Sequence, residues 1–288
     1  SVTRLYGIVY LPFDREPGRK YPIISNVYPG PHVDLVPQAF TLDDNYNQSL
    51  AQLGFVVINF AYRGSGPWRG RDFHTFGYGN LRDYALADDM AAIRQIAARY
   101  PCADIERVGI YGHSGGGFMT VAAMLNHPEF YKVGVAASGN HDNNIYSQWW
   151  GETFHGVKQT WGKDGKPHFE CHIPTNIELA DRLAGRLLLI TGDMDNNVHP
   201  ASTARLADAL IRARKRFDMT VIPGADHGLG NSYYVNLIRY SSRVASAGDR
   251  YSQTQLMDNA YEANFKKFFT IRIYVIVTCN DTSCRRCF

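Results

Sequence analysis

Short apolar runs alternate with amphipathic stretches along most of this chain of 288 residues. Runs rich in β-branched and aromatic residues predict strands, and apolar residues at intervals of three and four predict helices. The predicted strands are Leu5–Leu11, Ile23–Tyr28, Phe55–Phe60, Val108–Tyr111, Val133–Ala137, Leu187–Thr191 and Met219–Ile222, and the predicted helices are Tyr84–Tyr100, Ser114–Leu125 and Ala201–Ala213. This alternation indicates an α/β domain with a mostly parallel central sheet and helices on both faces.

The character of the chain changes after about Tyr240. Residues 241–255 are polar, Ala260–Phe269 fits a helix, and Ile271–Thr278 is a strand-like run that is too short to cross a bilayer. We therefore predict one α/β domain over residues 1–240 and an atypical tail of unclear structure over residues 241–288. The strand-like run should be buried if it belongs to the fold, because an exposed segment of this composition would promote aggregation.

Composition narrows the function classes. The 30 Lys and Arg against 27 Asp and Glu give a net charge of only +3. These charges are dispersed, whereas a nucleic-acid binder needs a concentrated basic face, so we expect no nucleic-acid partner. No run of 18 apolar residues is present, so no membrane-spanning helix is predicted. Five cysteines are an odd number for a disulfide framework, and the cysteine cluster at the end of the chain contains no histidine for a zinc site.

Gly112-His113-Ser114-Gly115-Gly116 is the most informative pentapeptide of the sequence. It matches the G-x-S-x-G pattern and lies between a predicted strand and a predicted helix, which is the context of a nucleophile elbow. Glycines on both sides of the serine let the strand and the helix approach each other closely. The alternative is a glycine-rich turn that only caps a helix.

A serine hydroxyl needs a base to remove its proton. In this fold class the acid and the base follow the serine in the order Ser…Asp/Glu…His. His227 comes just after the last core strand and is the candidate base, while His199 has a weaker claim because it lies in the loop of the acid. Asp193 and Asp195 both follow the strand Leu187–Thr191, and composition does not separate them.

Several further stretches, in a fixed order over about residues 1–240, carry a family resemblance. They are Leu5-Tyr6-Gly7, Tyr21-Pro22, Val27-Tyr28-Pro29-Gly30-Pro31, Tyr62-Arg63-Gly64-Ser65-Gly66, Asp104 to Ile110, the elbow, Gly192 to His199 and Asp226-His227-Gly228. With these motifs the sequence resembles the catalytic domain of the prolyl oligopeptidase family of serine peptidases, in its dipeptidyl peptidase IV-like branch. The resemblance implies an α/β-hydrolase fold and a serine peptidase without metal or organic cofactor.

The resemblance also implies roles for individual residues. The family's Gly-x-x-Asp-x-x-Val pattern makes Asp195 the acid of a triad with Ser114 and His227. In the family, the hydroxyl that corresponds to Tyr28 and the backbone N–H that corresponds to Gly115 form the oxyanion hole.

The family's specificity pocket lies in the segment after the strand Val133–Ala137 and in the acid loop. The candidates here are Tyr146, Trp149, Trp150 and Val198, and an apolar pocket of this kind would suit proline or alanine before the cleaved bond. Asn197 resembles the family's asparagine that binds a substrate carbonyl.

Dipeptidyl peptidases of the family fix the amino terminus of the substrate on an N-terminal β-propeller that this sequence does not contain. We therefore expect a catalytic fragment whose partners are a peptide substrate and, by resemblance, a second copy in a homodimer. Family analogy favours export to the periplasm or the extracellular space, with the cytoplasm as the alternative. Two other functions stay open, an esterase or acyl hydrolase with the same triad and a catalytically impaired fragment or scaffold.

Overall fold

A computed structural model of the chain describes residues 2–37, 39, 46–230 and 271–280. Ten strands are present in this part: β1 (Val2–Leu11), β2 (Tyr21–Asn26), β3 (Val56–Phe60), β4 (Ala103–His113), β5 (Tyr131–Ala137), β6 (Lys158–Trp161), β7 (Pro167–Glu170), β8 (Arg186–Gly192), β9 (Asp218–Ile222) and β10 (Ile271–Asn280). The α-helices are α1 (Asn47–Gln52), α2 (Arg71–His74), α3 (Leu86–Arg99), α4 (Gly115–Asn126), α5 (Gln148–Phe154) and α6 (Ala201–Arg212). Short 3₁₀ turns cover Pro67–Arg69, Thr75–Gly77 and Ile177–Arg182.

Eight strands form one sheet in the order β10-β1-β3-β2-β4-β5-β8-β9. The six strands from β3 to β9 in this order run parallel, and β1 pairs antiparallel with β3 on one side and with β10 on the other. The two remaining strands, β6 and β7, form a separate antiparallel hairpin. The predicted α/β class with a mostly parallel sheet is confirmed.

The sheet buries side chains on both of its faces. Neighbouring residues of β3 show this, because Val56 and Ile58 belong to one buried apolar cluster and Val57 belongs to the other. Strands that are buried on both faces read as continuous apolar runs, which is why the runs were visible in the sequence. All seven predicted strands and all three predicted helices of residues 1–240 are confirmed, with ends that differ by a few residues.

Helix α3 is tied to the sheet by buried polar contacts. The guanidinium of Arg63 donates to the carboxylate of Asp88 at 2.6 Å, and both side chains are almost fully buried. Asp89 accepts from the hydroxyls of Ser25, Tyr62 and Tyr131 at 2.6–2.7 Å. Burial raises the pKa of Asp89, and these three hydrogen bonds oppose that rise. The Tyr62-Arg63 motif therefore has a structural role, because both side chains bond to helix α3.

The strand-like run near the end of the chain is part of the sheet. β10 pairs with all of β1, from Val2↔Asn280 to Leu11↔Ile271, and buries Val275, Val277 and Cys279. The strand-like run is therefore a strand of the sheet, buried on one face, with Ile276 50% exposed on the other. The predicted helix Ala260–Phe269 and the predicted boundary near residue 240 lie outside the described residues.

Candidate active site

The candidate residues meet at the carboxyl ends of the parallel strands. Chain segments that leave β2, β4, β5, β8 and β9 carry Tyr28, Ser114, Asn140, Asp195 and His227, respectively. Parallel strands place their carboxyl ends at one edge of a sheet, which is where open α/β sheets bind ligands. Residues that lie up to 199 positions apart in the sequence are brought together in this way.

Ser114 lies in the sharp turn between β4 and α4. Its φ of 57° and ψ of −120° put a residue with a side chain in a region that normally favours glycine, at a cost of about 1–3 kcal/mol. The flanking glycines are required by contact, because a Cβ on Gly116 would lie 2.0 Å from the carbonyl oxygen of Val27 and one on Gly112 would lie 2.5 Å from the same oxygen. The turn therefore has the strained geometry of a nucleophile elbow.

Asp195 and His227 contact each other directly. Nδ1 of His227 lies 2.8 Å from Oδ2 of Asp195. The other carboxylate oxygen, Oδ1, accepts from the backbone N–H groups of Asn197 and Val198, both at 2.9 Å. The Asp195 side chain is fully buried, while that of His227 is 21% exposed. The acid is thus held on both oxygens, and the imidazole is held on one nitrogen.

The alternative acid, Asp193, and the alternative base, His199, each accept a backbone hydrogen bond outside this pair. Oδ1 of Asp193 accepts from the backbone N–H of Gly224 at 2.6 Å, and the Asp193 residue is exposed. Nδ1 of His199 accepts from the backbone N–H of Ala201 at 3.1 Å, at the start of α6. The geometry thus brings Asp195, and not Asp193, against the candidate base.

The Tyr28 side chain contacts the serine. Burial raises the pKa of the Tyr28 hydroxyl, and a hydrogen bond with the side chain of Ser114 opposes that rise. A Cβ on Gly30 would lie 2.2 Å from the Tyr28 ring, so the glycine makes room for this ring position. A Cβ on Gly115 would lie 3.8 Å from the ring carbon that bears the Tyr28 hydroxyl. The hydroxyl end of the Tyr28 ring therefore lies close to Gly115.

A cavity of about 270 Å³ lies in front of these groups. Besides the serine, the base, Tyr28 and Gly115, it is lined by Pro29, Gly30, Pro31, His32, Leu81, Tyr84, His113, Phe118, Asn140, Tyr146, Trp150 and Asn197. The Tyr146 hydroxyl donates to Oδ1 of Asn197 at 2.7 Å. The rings of Tyr146 and Trp150 meet edge to face, with centroids 5.7 Å apart. Three of the five residues expected to bind the substrate, Tyr146, Trp150 and Asn197, thus line this cavity.

The other two are placed differently. Trp149 is 71% exposed, and its ring packs against Phe154 with centroids 6.5 Å apart. Val198 is 2% exposed, does not line the cavity, and donates its backbone N–H to Asp195. Of the three aromatic residues expected in the specificity pocket, Tyr146 and Trp150 therefore line the cavity and Trp149 does not.

The sequence did not predict two polar residues at or next to the cavity. Asn140 is 3% exposed and lines the cavity, and the next residue, His141, is fully buried. Burial lowers the pKa of His141 to about 3, so its imidazole is neutral. Asn176 donates from Nδ2 to Nδ1 of this ring, at 3.1 Å. The available signal was a run of polar residues, Ser138 to Asn144, directly after a buried strand.

Metal-binding clusters and membrane-spanning helices are both absent from the part of the chain that the structure describes. It contains no group of three or more His, Cys, Asp or Glu side chains arranged to hold a metal ion. It also contains no helix with the length and apolar character needed to cross a bilayer.

Comparison with known proteins gives several strong similarities. The chain is 31% identical to human dipeptidyl peptidase 8 over 254 residues, which cover 84% of the chain and 28% of that protein. It is 30% identical to a probable dipeptidyl-aminopeptidase B of Aspergillus oryzae, and the match covers 80% of the chain and 25% of that protein. The chain therefore spans about a quarter of the length of these curated relatives.

Solved structures show the same relationship. A putative dipeptidyl aminopeptidase IV from Bacteroides ovatus superposes with a TM-score of 0.72 at 27% identity, covering 84% of this chain and 36% of that one. Porphyromonas gingivalis dipeptidyl peptidase 4 also gives a TM-score of 0.72 at 27% identity. The sequence profile of the prolyl oligopeptidase family matches residues 41–245. The chain belongs to the prolyl oligopeptidase family of serine peptidases.

Proposed function

We propose that this chain is the catalytic domain of a serine peptidase that cleaves short peptides through an acyl-enzyme, with dipeptidyl peptidase-like specificity. The observation that carries the proposal is the contact of His227 with a buried Asp195, together with a strained Ser114 that lines the same cavity as His227. A lone elbow serine would lack a base, and a lone His–Asp pair would lack a nucleophile.

Each group has one role in the proposed reaction. The Oγ of Ser114 attacks the scissile carbonyl carbon while His227 takes the hydroxyl proton, and Asp195 stabilises the resulting imidazolium. The negative charge on the carbonyl oxygen is stabilised by the Tyr28 hydroxyl and the Gly115 N–H. His227 then passes its proton to the leaving amine, which gives the acyl-enzyme. A water molecule attacks this ester by the same route and frees Ser114.

The proposed preference is for proline or alanine before the cleaved bond. A cavity of about 270 Å³ with walls of Tyr146 and Trp150 suits a small or flat apolar residue. Asn197 accepts from Tyr146 through Oδ1, so its amide nitrogen is the group that can donate to a substrate carbonyl. The relatives are named dipeptidyl peptidases, which supports the removal of two residues at a time.

Two assays test the proposed function. We expect a fluorophosphonate probe to label the chain, and a chromogenic Gly-Pro or Ala-Pro amide to be hydrolysed faster than a short acyl ester. Faster turnover of the ester, with no hydrolysis of either amide, would indicate an acyl hydrolase instead. A folded chain that takes no label would contradict the assignment as an enzyme.

Tyr28→Phe tests the oxyanion hole. The substitution removes only the hydroxyl, and the loss of one donor to the oxyanion typically lowers kcat about 10²–10³-fold. We expect this loss in kcat on the Ala-Pro substrate, with little change in KM, because the donor acts mainly in the transition state. Turnover close to that of the wild type would remove Tyr28 from the mechanism.

A further inference from the structure

His113 immediately precedes the serine, and the family mechanism described above gives it no role. It is the last residue of β4, and its imidazole lines the cavity. Its Nε2 lies 2.5 Å from the backbone carbonyl oxygen of His227. Because a carbonyl oxygen only accepts, the Nε2 of His113 carries a proton and donates it there. The residue before the nucleophile is thus bonded to the backbone of the base.

The same carbonyl receives a second donor. The hydroxyl of Ser138, directly after β5, donates to the His227 carbonyl at 3.3 Å. The rings of His113 and His227 also lie side by side, with centroids 4.7 Å apart and planes inclined at 58°. His227 is therefore contacted from the ends of two neighbouring strands as well as by Asp195.

The base needs such contacts because it lies in a loop. The first part of the loop after β9 is tied to the acid loop, where Gly224 donates to Asp193 and Met194 donates to Ala225. These bonds end before His227. Past that point the backbone bonds are local, from the N–H groups of Gly228 and Leu229 back to Asp226. The acid loop holds the imidazole of His227 through Asp195, and the contacts from His113 and Ser138 hold its main chain.

The charge of His113 also fits this position. Burial lowers the pKa of His113 and the nearby His227 lowers it further, while its bond to the His227 carbonyl and the charge of Asp195 oppose the fall. A neutral His113 beside the base does not repel the imidazolium that forms on His227 during the reaction. A lysine or arginine at this position would repel it.

We propose that His113 is a positioning residue for the base: its Nε2–H group holds the main chain of His227, and its ring packs beside the His227 imidazole. This inference rests on the proposed function, because it assigns the residue to the same reaction. A misplacement of about 1 Å at a reacting group can cost about 10²-fold in rate, so a donor remote from the substrate can control the rate.

Two substitutions at His113 separate the donor from the ring. His113→Phe keeps a ring and loses the donor, and His113→Gln loses the ring and keeps an N–H donor of similar reach. We expect His113→Phe to lower both kcat and the rate constant of fluorophosphonate labelling about 10²-fold with KM nearly unchanged. We expect His113→Gln to recover most of that loss, and the two variants to have similar melting temperatures.

The outcomes are distinguishable. A wild-type chain that takes no label contradicts the proposed function itself. If the wild type is labelled and His113→Phe reacts equally fast, only the positioning role is overturned. The same holds if His113→Gln reacts as slowly as His113→Phe. If neither variant folds, Ser138→Ala tests whether the rate depends on the donors to the His227 carbonyl, because it removes the second of them. It should react several-fold more slowly than the wild type, and an unchanged rate would overturn the proposal.

Discussion

Ser114→Ala should abolish labelling by a fluorophosphonate and lower kcat on an Ala-Pro amide by about 10⁵–10⁶-fold. The substitution removes the only atom that can form the proposed acyl-enzyme, while alanine adds no bulk to the turn. What activity persists would come from the oxyanion donors and from substrate binding. Single-turnover kinetics, with mass spectrometry of the labelled chain, measure both effects.

Ser138→Ala is the matched control for this prediction. Ser138 lies at the end of the neighbouring strand, and its hydroxyl donates to the backbone of His227. We expect Ser138→Ala to take one label per chain as the wild type does, although more slowly. Labelling of Ser114→Ala to the same extent would show that another residue is the nucleophile, and the proposed triad would then be wrong.

Asp195→Asn should lower kcat about 10⁴-fold while the chain stays folded. The amide oxygen of asparagine can still accept from the backbone N–H groups of Asn197 and Val198, which now bond to Oδ1 of Asp195. The amide nitrogen would then face Nδ1 of His227 and donate to it, which stabilises the wrong tautomer of the imidazole. Steady-state kinetics and the melting temperature separate this loss from unfolding.

Asp193→Asn is the control for that prediction, because it changes the same chemical group two residues away. The Asp193 carboxylate accepts from the backbone N–H of Gly224, and an asparagine oxygen can accept there as well. We expect kcat to stay within several-fold of the wild type. A loss as large as that of Asp195→Asn would mean that the two carboxylates share the role, and would contradict the assignment of Asp195.

Strand and helix positions could be predicted where burial is continuous. Val56–Phe60 is buried on both faces and α3 has an apolar side, so each left a pattern in the sequence. Helix α5 and the hairpin of β6 and β7 were missed. Both hairpin strands have only four residues, are almost entirely exposed, and follow no alternation of apolar and polar positions. Their pairing depends on backbone hydrogen bonds, which leave no mark on residue type.

The positions of two candidate site residues depend on helix α5, which the sequence did not predict. Trp149 and Trp150 are neighbours in α5, where consecutive side chains point about 100° apart. One therefore lies in solvent while the other lines the cavity. The sequence contained both tryptophans but did not predict the helix, so it could not tell them apart.

Residue patterns alone predicted the class of the fold, the Gly-x-Ser-x-Gly turn and the order of the candidate nucleophile, acid and base. These features follow from local patterns, because a buried strand needs apolar residues and a tight turn needs glycine. The tertiary structure decided which carboxylate meets the imidazole, which aromatic residues line the cavity, and that His113 contacts the base. Such contacts join the ends of different strands, and their distances follow from the packing of the whole sheet.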